Sequence, residues 1–298
     1  MSPETISVFF VLVAAGLLAV SQTIAKAVIS RLPFYVLLLS RSVGAILLLI
    51  PVTFICGWKT LTNTPYLVLI ALGGIVWPGV VNILAYRALQ RLPVNVNRPI
   101  FQTYPMWAFL MSIPLALGTY SHAKLAGVLL TTAGGAGFAL FNRDAADAGR
   151  RLPRSAVALV AASAVIQAAG TLVWKYAAQP SQQIPSYQMN LLQHTVSAVF
   201  FGALALKEMR RRVDAERKYS AGDVIITGFS GMLLFGIGNT LVFAALKHLD
   251  PGPAGAIYSV NILFTAAVAR ATLKEKWTAA QAVSALLVLV GVVFCSLK

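Results

Sequence analysis

The chain has 298 residues, of which 58% are hydrophobic and only 11% charged, with mean hydropathy +0.77 and a net charge of +15. Soluble domains carry about a quarter charged residues, so this composition excludes an ordinary soluble enzyme or binding module and indicates a polytopic membrane protein. The positive charge does not indicate nucleic acid, because the arginines and lysines collect in short loops where a lipid headgroup surface accounts for them, and no basic–aromatic module is present.

Apolar periodicity predicts ten membrane spans, at residues 6–28, 33–56, 65–90, 93–117, 122–141, 155–176, 185–206, 222–247, 251–273 and 277–297. Segments of that length can cross the hydrocarbon layer, which is about 30 Å thick. The first continues without a small-residue cleavage site, which argues against a removable leader. Most connections are short, so consecutive spans are antiparallel neighbours. Residues 142–154 are longer and divide the chain into a first five-span unit (1–141) and a second (155–298). Residues 207–221 form another charged loop. Cys56 and Cys295 are far apart with no metal-ligand spacing, and no phosphate-binding loop occurs, so neither metal nor cofactor is expected.

The two units are related. A shift of 157 residues places Gly74 on Gly231, Gly79 on Gly236, Asn82 on Asn239, Tyr86 on Phe243 and Phe101 on Tyr258. An odd number of spans per unit means that the second enters the membrane from the opposite side. The expected fold is therefore all-α, ten transmembrane helices in two inverted five-helix repeats, with a site near the midplane between them. Charge predicts orientation. One set of loops carries Arg31, Arg87, Arg91, Arg143, Arg150, Arg151, Arg154 and the run from Lys207 to Lys218. The other set has only Lys59, Lys124, Lys175, Lys247 and Lys298. The positive-inside rule puts the first set in the cytoplasm and the termini outside.

The fourth span, PVNVNRPIFQTYPMWAFLMSIPLAL, stands out. An arginine inside a span costs about 2.5–3.5 kcal/mol on insertion scales. Pro99 and Pro105 remove backbone donors and free carbonyls one turn earlier. Asn95, Arg98, Gln102 and Pro105 share one stripe, with Phe101 and Tyr104 beside it, which points to a polar cavity. Arg98 is the expected anchor for an anionic group, Tyr104 and Trp107 supply contact area, and Gly255, at the equivalent place in the ninth span, leaves room opposite the guanidinium. Arg41 is a second buried cation, suited either to substrate or to backbone carbonyls of neighbouring helices. Asn82, Tyr86, Asn239 and Tyr258 complete the expected wall. Each asparagine needs a partner on a neighbouring helix or on the substrate.

Each of the nine acidic residues falls in a tail, a loop or a helix end, so a carboxylate at membrane depth that alternately holds proton and cation is missing. His194 has no companion nucleophile or carboxylate in the membrane, which argues against an intramembrane enzyme. Glu275 is expected to cap the last helix.

The chain resembles the ten-helix carriers of the drug/metabolite transporter superfamily with two EamA-like repeats. The resemblance rests on the closing helix pair at 249–297, on the Leu273–Lys274–Glu275 turn, on Arg41 early in the second span and on Pro105 in the fourth. It differs at Gly118, where the family has glutamate, and at Asn261–Ile262, which replace the second proline. The resemblance implies a secondary exporter or exchanger of small polar metabolites, amino acids or related zwitterions, in the inner cell membrane, and it places the termini in the cytoplasm, against the charge rule. The partners implied are a small-molecule substrate and the bilayer, with oligomeric state open. A lipid flippase or a non-transporting membrane subunit is the alternative.

Overall fold

The computed structural model describes residues 2–29, 31–60, 64–92, 97, 100–141, 153–178, 184–211, 220–265, 267 and 278–296. They form helices throughout: α1 (Pro3–Val28), α2 (Phe34–Cys56), α3 (Thr64–Gly74, Ile75–Val81 and Asn82–Leu89 in succession), α4 (Tyr104–Ser112), α5 (His122–Leu140), α6 (Arg154–Ala177), α7 (Ser186–Arg211), α8 (Ala221–Gly231, Met232–Gly238 and Asn239–Ala245), α9 (Pro251–Tyr258) and α10 (Ala279–Ser296). No strand occurs among the described residues. Seven of these helices are long and apolar enough to cross a membrane. Large apolar side chains such as Phe9, Leu47, Phe54, Val199, Ile225 and Val293 lie on the outside, while Arg41, Asn190, Gln193 and His194 are buried. That inversion of the usual solvent rule is what a lipid solvent selects. The chain is a multi-pass membrane protein.

Helix ends follow from local chemistry. Ser2 caps α1 by accepting the Thr5 N–H, and Ser220 caps α8 by accepting the Gly222 N–H. At the start of α10 the Thr278 hydroxyl accepts the Gln281 N–H while the Gln281 side chain accepts the Thr278 N–H, a reciprocal capping box. Glu275, expected to cap the last helix, lies outside the described residues. The fourth span ends earlier than expected. Its helix ends at Ser112, and residues 113–118 turn, with Ala116 at φ 53° just after Pro114.

The 157-residue relation has a backbone counterpart. In both α3 and α8 the middle of the helix widens into a π-helical stretch, Ile75–Val81 in one and Met232–Gly238 in the other, and each is followed directly by Asn82 or Asn239. The wider turn leaves carbonyls to be satisfied. In α3 the Asn82 side chain donates to the Pro78 carbonyl at 2.6 Å. In α8 the Asn190 side chain reaches across from α7 to the carbonyls of Phe235 (2.7 Å) and Gly236 (3.0 Å).

Packing obeys the same pairing. α3 lies on α7, and its counterpart α8 lies on α2; α4 faces α9, and α5 faces α10. Glycine permits the closest approaches. A Cβ on Gly74 would meet the Gln193 carbonyl oxygen at 2.6 Å, and one on Gly231 would meet that of Arg41 at 2.0 Å. Small residues at such crossings are how membrane helices gain close packing in the absence of a hydrophobic drive between them. Of the predicted connecting segment, residues 142–152 lie outside the described residues.

Candidate functional site

Helices α1, α2, α3, α4, α6, α8 and α9 surround a cavity of about 110 Å³. Its wall is unusually polar for the inside of a membrane protein. Amides come from Gln22, Asn82, Asn97, Gln102, Gln167, Asn239 and Asn261, phenols from Tyr86, Tyr104 and Tyr258, and one cation from Arg41. Trp77, Phe101 and Phe235 supply flat apolar area. No carboxylate lines it among the described residues. The π-helical stretches contribute directly, since Trp77 and Val81 lie in one and Leu234 and Phe235 in the other. Widened turns re-aim side chains, which is why they recur at functional sites.

Arg41 is the electrostatic centre. It is 1% exposed. One guanidinium nitrogen donates to the Tyr86 hydroxyl at 2.8 Å and another to the Ser21 hydroxyl at 2.9 Å, while Nε has no partner. The guanidinium sits 4.5 Å from the centroid of Phe235, a cation–π contact. The same ring stacks on His194 at 4.9 Å. Arginine keeps its charge, and a buried charge is ordinarily paired with an opposite one. Here neutral hydroxyls and an aromatic face stand in for the counter-ion. Ser21 in turn donates to the Ser230 carbonyl at 2.6 Å, so the cation is wired to both α1 and α8.

The amides bridge helices. Ser259 donates to Gln102 Oε1 (3.1 Å) and Gln102 Nε2 to Asn261 Oδ1 (3.5 Å), tying the residues just before α4 to those just after α9. Asn97 donates to the Ala85 carbonyl at 3.3 Å, and the Trp77 indole donates to Gln167 Oε1. Asn239 approaches His194 Nε2 at 3.4 Å.

Of the residues expected from sequence, Arg41, Asn82, Tyr86, Gln102, Tyr104, Asn239 and Tyr258 all reach this cavity. Arg98 lies outside the described residues, although Asn97 beside it lines the wall. Trp107 does not reach it: the residue is 37% exposed, because the cavity spans a narrower arc of α4 than the stripe drawn from sequence. Asn82 finds its partner on its own helix, not on a neighbouring one. The space beside Gly255 is filled by Tyr104 and Pro105, at 3.0 and 3.1 Å from where a Cβ would lie, and the Tyr104 hydroxyl donates to the Gly255 carbonyl. That glycine serves close contact between α4 and α9 instead of opening room for a guanidinium. The sequence reading missed Gln22, Gln167 and Asn97. The cost of an amide inside an apolar segment was the signal that could have found them.

The acidic side chains that are described lie at helix ends. Asp223 pairs with Arg31 at 3.2 Å, and Glu208 accepts the Tyr35 N–H. Asp250 accepts from Lys124 Nζ at 2.6 Å and from Thr119, joining α5 to the α8–α9 turn. Burial alone would push its carboxyl up, but these donors outweigh it and hold the carboxyl below its ordinary value. Lys175, near the end of α6, donates to the carbonyls of Leu246 (2.9 Å) and Leu249 (3.0 Å).

The sequence profile of the EamA-like transporter family matches residues 154–297. The chain carries an EamA-like transporter domain. No curated protein matches the chain. Among solved structures, one described as "Crystal structure of protein" superposes with a TM-score of 0.78 over 98% of this chain and 95% of its own, at 16% identity. At that identity the likeness concerns the fold alone. The EamA-like domain covers α6 through α10, so four of the seven helices around the cavity (α1, α2, α3 and α4) come from the half of the chain that precedes it.

Proposed function

We propose that this EamA-like protein is a secondary carrier, an exporter or exchanger, of small polar metabolites that bear a carboxylate or comparable anionic group, zwitterions of the amino-acid type foremost, in the inner cell membrane. The observation that supports this reading is Arg41: a guanidinium at the wall of an amide-lined cavity, with neutral partners on two nitrogens and none on Nε. A substrate anion would supply the counter-charge, and charge-assisted hydrogen bonds of this kind contribute about 1.5–3 kcal/mol. Amides and phenols then read the rest of a small polar molecule, donating and accepting as required. Arg98, next in sequence to the wall residue Asn97, is proposed as a second anchor from the α4 side.

The inverted repeats supply a route to alternating access, because α3 with α7 and α8 with α2 can rock about the site between them. With no carboxylate at membrane depth among the described residues, flux need not be driven by protons.

Ligand-induced thermal shift of the detergent-purified protein tests the binding half of this reading. A ligand that binds only the folded state raises stability by RT ln(1 + [L]/Kd). Zwitterionic or anionic metabolites at millimolar concentration should raise the melting temperature, and their decarboxylated amine analogues should not. A shift by the amines alone would overturn the charge assignment.

A further inference from the structure

The cavity ends at a layer of side chains that it shares with a second, smaller one. Trp77, Tyr104, Gln167, Asn239 and Tyr258 line both spaces. The second, about 30 Å³, continues past that layer to Thr171, Trp174, Val242 and Ala254. Those positions run toward one face of the membrane. Along α6 the path goes from Gln167 through Thr171 to Trp174, near the helix end at Ala177. Along α8 it goes from Asn239 to Val242, near the end at Ala245, and Ala254 lies in the first turn of α9. This is the face opposite the arginine-rich loops.

The layer is held by specific contacts. The Trp77 indole donates to Gln167, the Trp174 ring stands edge-on to Trp77 at 3.9 Å between centroids, and the Tyr104 hydroxyl donates to the Gly255 carbonyl. Beyond it, the Trp174 indole N–H is buried with no partner, and Trp174 itself is only 3% exposed. A buried N–H is normally satisfied, so an orphan donor in the wall of a cavity marks a place where an acceptor is received. Further out, Lys175 on the Leu246 and Leu249 carbonyls and Lys124 on Asp250 close the same face.

We propose that the smaller cavity is the collapsed far leg of the permeation path, that the Trp77–Gln167 contact is its gate, and that the Trp174 N–H receives a hydrogen-bond acceptor of the passing substrate. The inference rests on the carrier reading above. At this size the space holds only a few waters, so it must widen for a metabolite to pass. The conformation described here is then shut, beyond the shared layer, toward the face opposite the arginine-rich loops.

Cysteine accessibility tests the gate without any substrate. In full-length protein carrying Cys56→Ser and Cys295→Ala, Thr171→Cys reports the small cavity and Asn82→Cys the large one. The probe is 2-sulfonatoethyl methanethiosulfonate, anionic and impermeant, added to vesicles from the side of the arginine-rich loops. Adding Gln167→Leu should speed labelling at Thr171→Cys about tenfold, the scale of one lost hydrogen bond, and leave labelling at Asn82→Cys unchanged. If Gln167→Leu does not yield folded protein, Trp77→Phe removes the same bond and is read in the same way. Equal labelling of Thr171→Cys with and without the gate substitution overturns the gate. For the acceptor site, Trp174→Phe keeps the ring and drops the N–H. Maximal flux should fall about tenfold with KM unchanged, and unaltered flux overturns that role. Failure of the carrier reading would show separately, as absence of saturable flux in the parent protein, whereas the labelling rates do not depend on flux.

Discussion

Arg41 offers the sharpest separation between a structural and a functional residue. If its role were to hold helices together, removing it would destabilise the fold. The geometry predicts otherwise. Its partners Tyr86 and Ser21 are neutral, its Nε is unpaired, and Ser21 keeps the Ser230 carbonyl without it. Burying a charge without an opposite partner carries a desolvation cost, so replacing it by an apolar or neutral side chain of similar length relieves that cost, just as replacing buried ion pairs by apolar side chains is often neutral or stabilising. Arg41→Met and Arg41→Gln should therefore keep or raise the melting temperature of the purified protein. The same substitutions remove a charge-assisted contact to the substrate anion, about 1.5–3 kcal/mol, which is roughly a 10- to 150-fold rise in Kd. Arg41→Lys should fall between, since it keeps the charge and loses the planar fork. Affinity from isothermal calorimetry and stability from a thermal scan on the same preparations decide the matter. A large drop in melting temperature with affinity unchanged would make Arg41 a structural bond and refute the anion-anchor reasoning.

Gly231→Ala places a Cβ 2.0 Å from the Arg41 carbonyl oxygen and should cost at least about 1–3 kcal/mol, read as lower melting temperature; Gly16→Ala, with nothing within 4 Å of its Cβ, is the near-neutral control. Asp250 predicts an acid-side transition. Because its folded carboxyl lies below the unfolded value of about 3.9, its contribution is present above that value and is lost as pH falls through the lowered one. Asp250→Asn should reduce stability near neutral pH by about 1 kcal/mol or less, as for a partly exposed ion pair, and flatten the melting temperature below pH ~4; an unchanged acid profile would contradict this. The loops around 142–154 and 207–221 should face the cytoplasm, so a reporter active only there should be silent at either terminus, and strong activity at both ends would reverse the orientation.

Much of this architecture was readable from residues alone. Seven of the ten spans expected from apolar length are helices long and apolar enough to cross a membrane among the described residues, and the shift that pairs Gly74 with Gly231 and Asn82 with Asn239 also superposes the two π-helical stretches. The π turns themselves left no trace, because Ile75–Val81 and Met232–Gly238 remain uniformly apolar or small whichever helical period they adopt. Expensive residues were good guides to the cavity: Arg41, Gln102 and Asn239 all reach it. Periodicity was a poorer guide to its edges. Trp107 is one turn from Tyr104 yet points out of the cavity, and Gln167, alone among alanines on α6, showed no pattern to extrapolate. What it does is set by its neighbours Trp77 and Trp174, which approach from other parts of the chain.

Counterflow in proteoliposomes reaches the central claim most directly. Vesicles loaded with a zwitterionic metabolite and diluted into its radiolabelled form should accumulate label saturably, before and after the pH gradient is collapsed with an ionophore, and Arg41→Gln should abolish the low-concentration component. Lipid scrambling without saturable metabolite exchange, or exchange that vanishes with the proton gradient, would contradict the account.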